Sequence, residues 1–144
     1  MGLIENLKKR TFAKSILIFS LLFIAQQHVS GCDCNMYQVD YYVPRAINII
    51  VAKVISVTPV GNPDDYRNEV IVEVLKVYKG RIKIKNRLTF IMQDNCDPDF
   101  RVDVAFLLFC HEIKGIYYSD HCSYSDRISN SGSVIKRIEK ILKK

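Results

Sequence analysis

Glu69-Val70-Ile71-Val72-Glu73-Val74-Leu75-Lys76-Val77-Tyr78 decides how this chain folds. The stretch is rich in β-branched residues and predicts a strand. Val70, Val72 and Val74 share one face. Ile71, Leu75 and Val77 share the other, interrupted by Glu73. Apolar residues on both faces fit a strand that curls within a barrel better than the edge of a flat sheet. Lys79-Gly80 closes it.

Working outward, Ile49 to Val57 predicts a preceding strand. Its alternation puts Ile49, Val51, Ile55 and Val57 on one face with Lys53, and Ile50, Ala52 and Val54 on the other. Pro59 to Tyr66 reads as the loop between the two strands. Downstream, Arg87 to Met92 predicts a third strand, followed by the turn-rich Asp94-Asn95-Cys96-Asp97-Pro98-Asp99. Val102 to Ile113 predicts a fourth strand, the most apolar segment, and Ile116-Tyr117-Tyr118 a short fifth beyond Gly115. Ser129 to Ser133 is a polar break, with Ser133 as the expected N-cap. Val134, Ile135, Ile138, Ile141 and Leu142 then recur at helical spacing, with lysines opposite, which predicts a helix packed on the strands. Upstream of the first strand, residues 32–43 are polar and aromatic, and Pro44 disfavours a helix running through that point. The expected fold class is all-β: an OB-like five-stranded antiparallel barrel with a C-terminal α-helix.

The 144-residue chain begins with a different kind of segment. Lys8, Lys9, Arg10 and Lys14 precede an eleven-residue, mostly apolar run from Ser15 to Ala25, and small residues follow near Gly31. That is the pattern of a secretory signal peptide over residues 1–31, leaving one domain over 32–144. The run is shorter than the ~18 apolar residues of a membrane span. The segment carries four basic residues and one acidic, so half of the net charge of +6 belongs to it. The remaining balance does not point to nucleic acid. The chain is therefore expected to be secreted or held at the cell-envelope surface.

All five cysteines, Cys32, Cys34, Cys96, Cys110 and Cys122, lie beyond the signal. Export places them where disulfides are the default state, and the odd number leaves at least one free, lipidated or bridged to another chain. Cys110 sits in the most apolar strand, where a small thiol packs well. Two processing routes fit Val29-Ser30-Gly31-Cys32. Ordinary signal peptidase would leave Cys32 as a free N-terminus. The same residues resemble a bacterial lipobox, in which Cys32 would carry lipid on its sulfur and an acylated amine.

Other chemistries fit less well. Cys32-Asp33-Cys34 with Met36, Cys110-His111 and His121-Cys122 contain soft metal ligands, but their spacing matches no common zinc finger. Cys110 and His111 are strand neighbours and point to opposite faces, unlike a thiolate–imidazole pair. No serine elbow or zinc-binding helix is present, so no enzymatic activity is expected. Asp64-Asp65 and Asp97-Pro98-Asp99 read as turn formers. Phe90, Tyr78 and the basic run from Lys79 to Arg87 resemble a single-strand-binding face, but a lysine-rich turn more often serves as a solvated edge that blocks strand pairing.

Three features together resemble the netrin-like domain, specifically the N-terminal domain of tissue inhibitors of metalloproteinases, in its short bacterial single-domain form. They are Cys32-Asp33-Cys34 directly after a signal cut; Val74-Leu75-Lys76-Val77-Tyr78-Lys79-Gly80, similar to an aromatic-lysine-glycine strand end; and the order of Cys96 in a loop, an apolar strand, Cys122-Ser123 and a terminal helix. The resemblance implies disulfides Cys32–Cys96 and Cys34–Cys122, with Cys110 free, each bridge contributing at most about 4 kcal/mol. It further implies that the amine and carbonyl of Cys32 chelate the catalytic zinc of a target metalloproteinase, with Asp33 pointing into the specificity pocket. No cofactor of the chain's own is expected; the zinc belongs to the protease. The alternative is a non-inhibitory envelope lipoprotein or extracellular protein-binding module on the same scaffold.

Overall fold

The computed structural model describes residues 38–61, 67–92, 97–119 and 122–143. The elements run α1 (Val39–Arg45), β1 (Asn48–Val60), β2 (Arg67–Lys79), β3 (Arg87–Met92), β4 (Ala105–Ile113), β5 (Ile116–Ser119), β6 (Asp126–Arg127), a 3-10 turn (Ile128–Asn130) and α2 (Gly132–Leu142). The fold is mostly β with a C-terminal helix. No helix among the described residues is long and apolar enough to cross a membrane.

Five strands pair in a ring. β1 pairs with β2, β2 with β3, β3 with β5, β5 with β4, and β4 returns to β1. β1 makes this possible because its first half is hydrogen-bonded along both edges. Val51, for example, faces Lys76 on one side and Leu107 on the other. β6 extends the sheet by pairing with Phe106 and Leu107 of β4. The expected all-antiparallel arrangement fails at one place: β3 and β5 are parallel, meeting at Phe90 and Tyr117. The reason is parity. Directions cannot alternate all the way round a closed ring of five strands, so one neighbouring pair must run the same way.

The alternation read from β1 also breaks. Its register against β2 slips between Val54 and Ser56. The bulge at Ile55 turns that side chain to solvent and changes the parity beyond it. Val57 therefore packs with Ile50, Ala52 and Val54, not with Ile49 and Val51 as strict alternation had implied. Two further slips leave Leu75 and Tyr78 of β2 without partners in β1. Val74 and Val77, three residues apart, thus both face the interior. Two thirteen-residue strands curl round the core through these extra residues.

The interior is filled by Val70, Val72, Val74, Leu88, Phe90, Phe106 and Leu108 with the inward residues of β1. Phe100, from the connection before β4, closes one end, its ring 4.9 Å from Phe106 and 6.0 Å from Phe90. A second cluster lies outside the ring. Ile49, Val51, Leu107 and Phe109 are covered there by Val43 of α1 and Ile138 of α2. The apolar stripe of α2 packs on this second cluster, with Val134, Ile135 and Ile141 at its edges. The helix begins at Gly132, before the expected Ser133, and Ser131 occupies the N-cap. Its hydroxyl does not cap the helix; it donates to the Arg127 carbonyl at 2.8 Å, tying α2 to β6.

The start of β1, the end of β2 and the end of β4 meet at a tight seam. Buried Asn48 donates its side-chain amide to the Cys110 carbonyl at 3.3 Å. Gly80, at φ 110°, lies so close that an added Cβ would stand 2.1 Å from the Asn48 Oδ1. Backbone and space therefore both require glycine at this position. Gly80→Ala is expected to lower stability by about 1–3 kcal/mol from backbone strain alone. The check is a fall in the urea midpoint at unchanged m-value.

Candidate functional site

A short helix, α1, is seated on the ring ahead of β1. Seven residues cannot hold a helix by themselves, so α1 depends on what touches it. Val43 is fully buried in the outer cluster. Tyr42 meets Tyr124 edge-on at 5.9 Å. From α2, Arg137 forms a two-pronged ion pair with Asp40, with Nε 2.5 Å from Oδ1. From the end of β2, the Lys79 ammonium donates to the carbonyls of Val43 at 2.9 Å and Pro44 at 2.8 Å. These are last-turn acceptors that the helix cannot satisfy itself. Arg45 lies over the Tyr41 ring, 3.8 Å from its centroid, and donates to the Tyr41 carbonyl.

Pro44 lies inside α1, although the sequence marks it as a break. It falls in the last turn, where its missing N–H removes only the bond to Asp40, and the helix ends one residue later. Ala46 is extended, and its N–H closes the turn on Tyr42 at 2.8 Å.

A second tether approaches the same helix. Cys122, between β5 and β6, is disulfide-bonded. The following Ser123 is buried, with its hydroxyl 3.3 Å from that of Ser125. Ser125 accepts the Phe109 N–H at 2.9 Å, which stitches the loop to β4. Tyr124 then reaches Tyr42. Lower down, Asp99 accepts from Arg101 at 2.9 Å and from Arg127 at 2.7 Å, joining the Phe100 connection to β6. Arg101 first, then Arg127, holds the Asp99 carboxyl below its ordinary range. A cavity of about 190 Å³ opens between α1, β4 and the Cys122 loop, with Tyr42, Ile47, His111 and Ser123 in its wall.

Of the residues singled out in the sequence, Cys32, Asp33, Cys34 and Cys96 lie outside the described residues, as do Met36, Asp64, Asp65 and His121. Cys110 is free and buried. Burial pushes its thiol up to about 12. Its neighbour His111 leaves the interior and stacks on Tyr118 at 5.9 Å, so the two do not meet. Phe90 is buried in the core, and Tyr78 lies on the outer cluster with the Lys76 ammonium 4.3 Å from its ring centroid. The two aromatics therefore face different sides of the sheet and form no common stacking platform. Asp97 precedes, and Asp99 is the central residue of, a tight backbone turn in which the Phe100 N–H bonds the Pro98 carbonyl at 2.7 Å. Among the described residues no three His, Cys, Asp or Glu side chains converge to hold a metal ion.

Lys79 and Gly80 are where sequence reasoning stopped short. The pair marked a strand end, but Lys79 holds α1 and Gly80 fits the seam. A lysine and a glycine after a strand carry no local sign of the carbonyls and the asparagine they will meet. A scan against models of known protein families finds no match, and a search of curated proteins finds none either.

Two outcomes check this arrangement. Lys79→Met should cost about 1–2 kcal/mol and speed amide exchange near Ala46, with β3 amides unchanged, because the lost bonds are charge-assisted but partly solvated. Cys110 should resist iodoacetamide at pH 8 in the folded protein and react on unfolding. A raised thiol pKa also sets the sign of the pH effect. Its contribution to stability is complete below the unfolded value and is lost as pH rises through about 12.

Proposed function

We propose that residues 32–144 form an exported, non-enzymatic, OB-like domain of netrin type that inhibits a metalloproteinase through Cys32. The five-strand ring and C-terminal helix support the OB-like assignment. The anchoring of α1 is the observation that carries the functional proposal. A zinc-binding N-terminus gains affinity when little freedom is lost on docking. Here the chain from Asp40 onward, six residues beyond Cys34, is fixed from β2, from α2 and from the loop that contains disulfide-bonded Cys122. In this proposal Cys32–Cys96 and Cys34–Cys122 carry that rigidity back to the terminus. A catalytic zinc keeps an open position, which the deprotonated α-amine and the carbonyl of Cys32 would occupy. Asp33 would enter the neighbouring pocket. Zinc takes part only as the target's own metal.

The decisive experiment uses the exported protein with its N-terminus defined by mass. A free Cys32 should accompany inhibition within a metalloproteinase panel, and one alanine added before Cys32 should abolish it without shifting the urea midpoint. Inhibition that survives the added alanine overturns chelation. A diacylglycerol adduct on Cys32 overturns it too and assigns the scaffold to an envelope lipoprotein.

A further inference from the structure

One end of the ring collects the start of β1, the end of β2, the start of β3, the end of β4 and the start of β5. The register sets this: Ile49 faces Lys79, Asn48 faces Cys110, Ile113 faces Ile116, and Phe90 runs alongside Tyr117. Three connections project there: the α1–β1 junction at Ile47, residues 80–86 between β2 and β3, and the Lys114-Gly115 turn. An open cavity of about 670 Å³ lies among them, with Ile47, Arg81, Asn86 and Glu112 in its wall.

Each connection or its flank carries one isoleucine that the fold leaves in water. Ile47 is 65% exposed, Ile84 58% and Ile113 51%. Arg81, Lys83, Lys85 and Lys114 stand beside them, all exposed and in no ion pair among the described residues. The acids adjoining this rim are already engaged or offset: Glu112 accepts the Tyr117 hydroxyl at 2.9 Å, and Glu73 faces Arg87 across the β2–β3 ladder. Lys85 and Lys114 also occupy left-handed backbone at φ 68° and 52°, positions easiest for glycine or asparagine.

Solvation accounts for four exposed cations. It does not account for three exposed isoleucines interleaved with them at one end of the molecule. A soluble polyanion would engage the cations alone. A lipid surface offers phosphates to the cations and an apolar boundary to the isoleucines. We propose that this rim docks on an anionic phospholipid bilayer. The inference does not rest on the fate of Cys32: a lipid anchor enters any bilayer, whereas the rim selects by charge.

The test is co-sedimentation of the exported protein, its Cys32 shown by mass to carry no lipid, with phosphatidylglycerol and with phosphatidylcholine vesicles. Preference for the anionic vesicles, weakening as salt rises, is expected. Lys83→Gln with Lys85→Gln should weaken that preference roughly fivefold per charge. Ile47→Ser, Ile84→Ser and Ile113→Ser together should weaken anionic-vesicle binding roughly tenfold or more. Ile84→Ser alone, which lies outside every strand, should weaken it in the same direction with the urea midpoint unchanged. Equal binding to both lipids overturns the proposal. So does undiminished binding by the serine variants with competition from polyphosphate, which would make the rim a polyanion site.

Discussion

An odd number of strands closes the ring, and the rest of the structure follows from that constraint. Neighbours alternate in direction from β3 through β2, β1 and β4 to β5, and the final pair must then run parallel. That pair is kept short, meeting at Phe90 and Tyr117, whose rings lie 5.8 Å apart. Closure also requires β1 to offer both edges at once, which places its first half and β4 at the centre of the molecule. Both are buried on two faces, one toward the ring interior and one toward the helices. The bulges at Ile55, Leu75 and Tyr78 let the two longest strands curl without abandoning their pairing.

The outer cluster connects this core to the proposed function. It needs a cover, and α1 and α2 supply it through Val43 and Ile138. Once α1 is seated, polar groups from separate elements lock it. Lys79 takes its terminal carbonyls, Arg137 pairs with Asp40, and Tyr124 meets Tyr42. The ion pair is solvent-exposed and contributes little by itself. Burial of Val43 and the Lys79 bonds carry more, because they satisfy surfaces the short helix cannot cover alone. Asp40 to Pro44 are thus held against the ring. The opposite chemistry holds at the β1–β2–β4 rim, where cations and isoleucines are left uncovered. The same closure that buries one set of connections projects the other into solvent.

Much of the fold was legible because its signals are local. β-branched runs, turn residues and the helical spacing of Ile135, Ile138 and Ile141 are each set within a few residues, and β3 falls at its expected bounds. The leading candidates for chemistry, Cys32 and Asp33, were legible only as motif, and they lie outside the described residues. Alternation failed beyond Ile55 because a bulge depends on the partner strand, which the strand's own sequence does not contain. Phe100 was hidden in a turn-rich stretch; only the packing of Phe90 and Phe106 shows that the ring interior has room for it.

By itself the sequence determined which segments extend, which one coils and which residues are apolar enough to be buried, since these follow from side-chain shape and short-range periodicity. Tertiary structure alone decided that β3 and β5 run parallel, that Lys79 caps α1, that Gly80 must lack a Cβ beside Asn48, and that Ile47, Ile84 and Ile113 share one rim. Each of these depends on residues far apart along the chain being brought together when the ring closes, and no local propensity encodes a contact with a partner that only closure delivers.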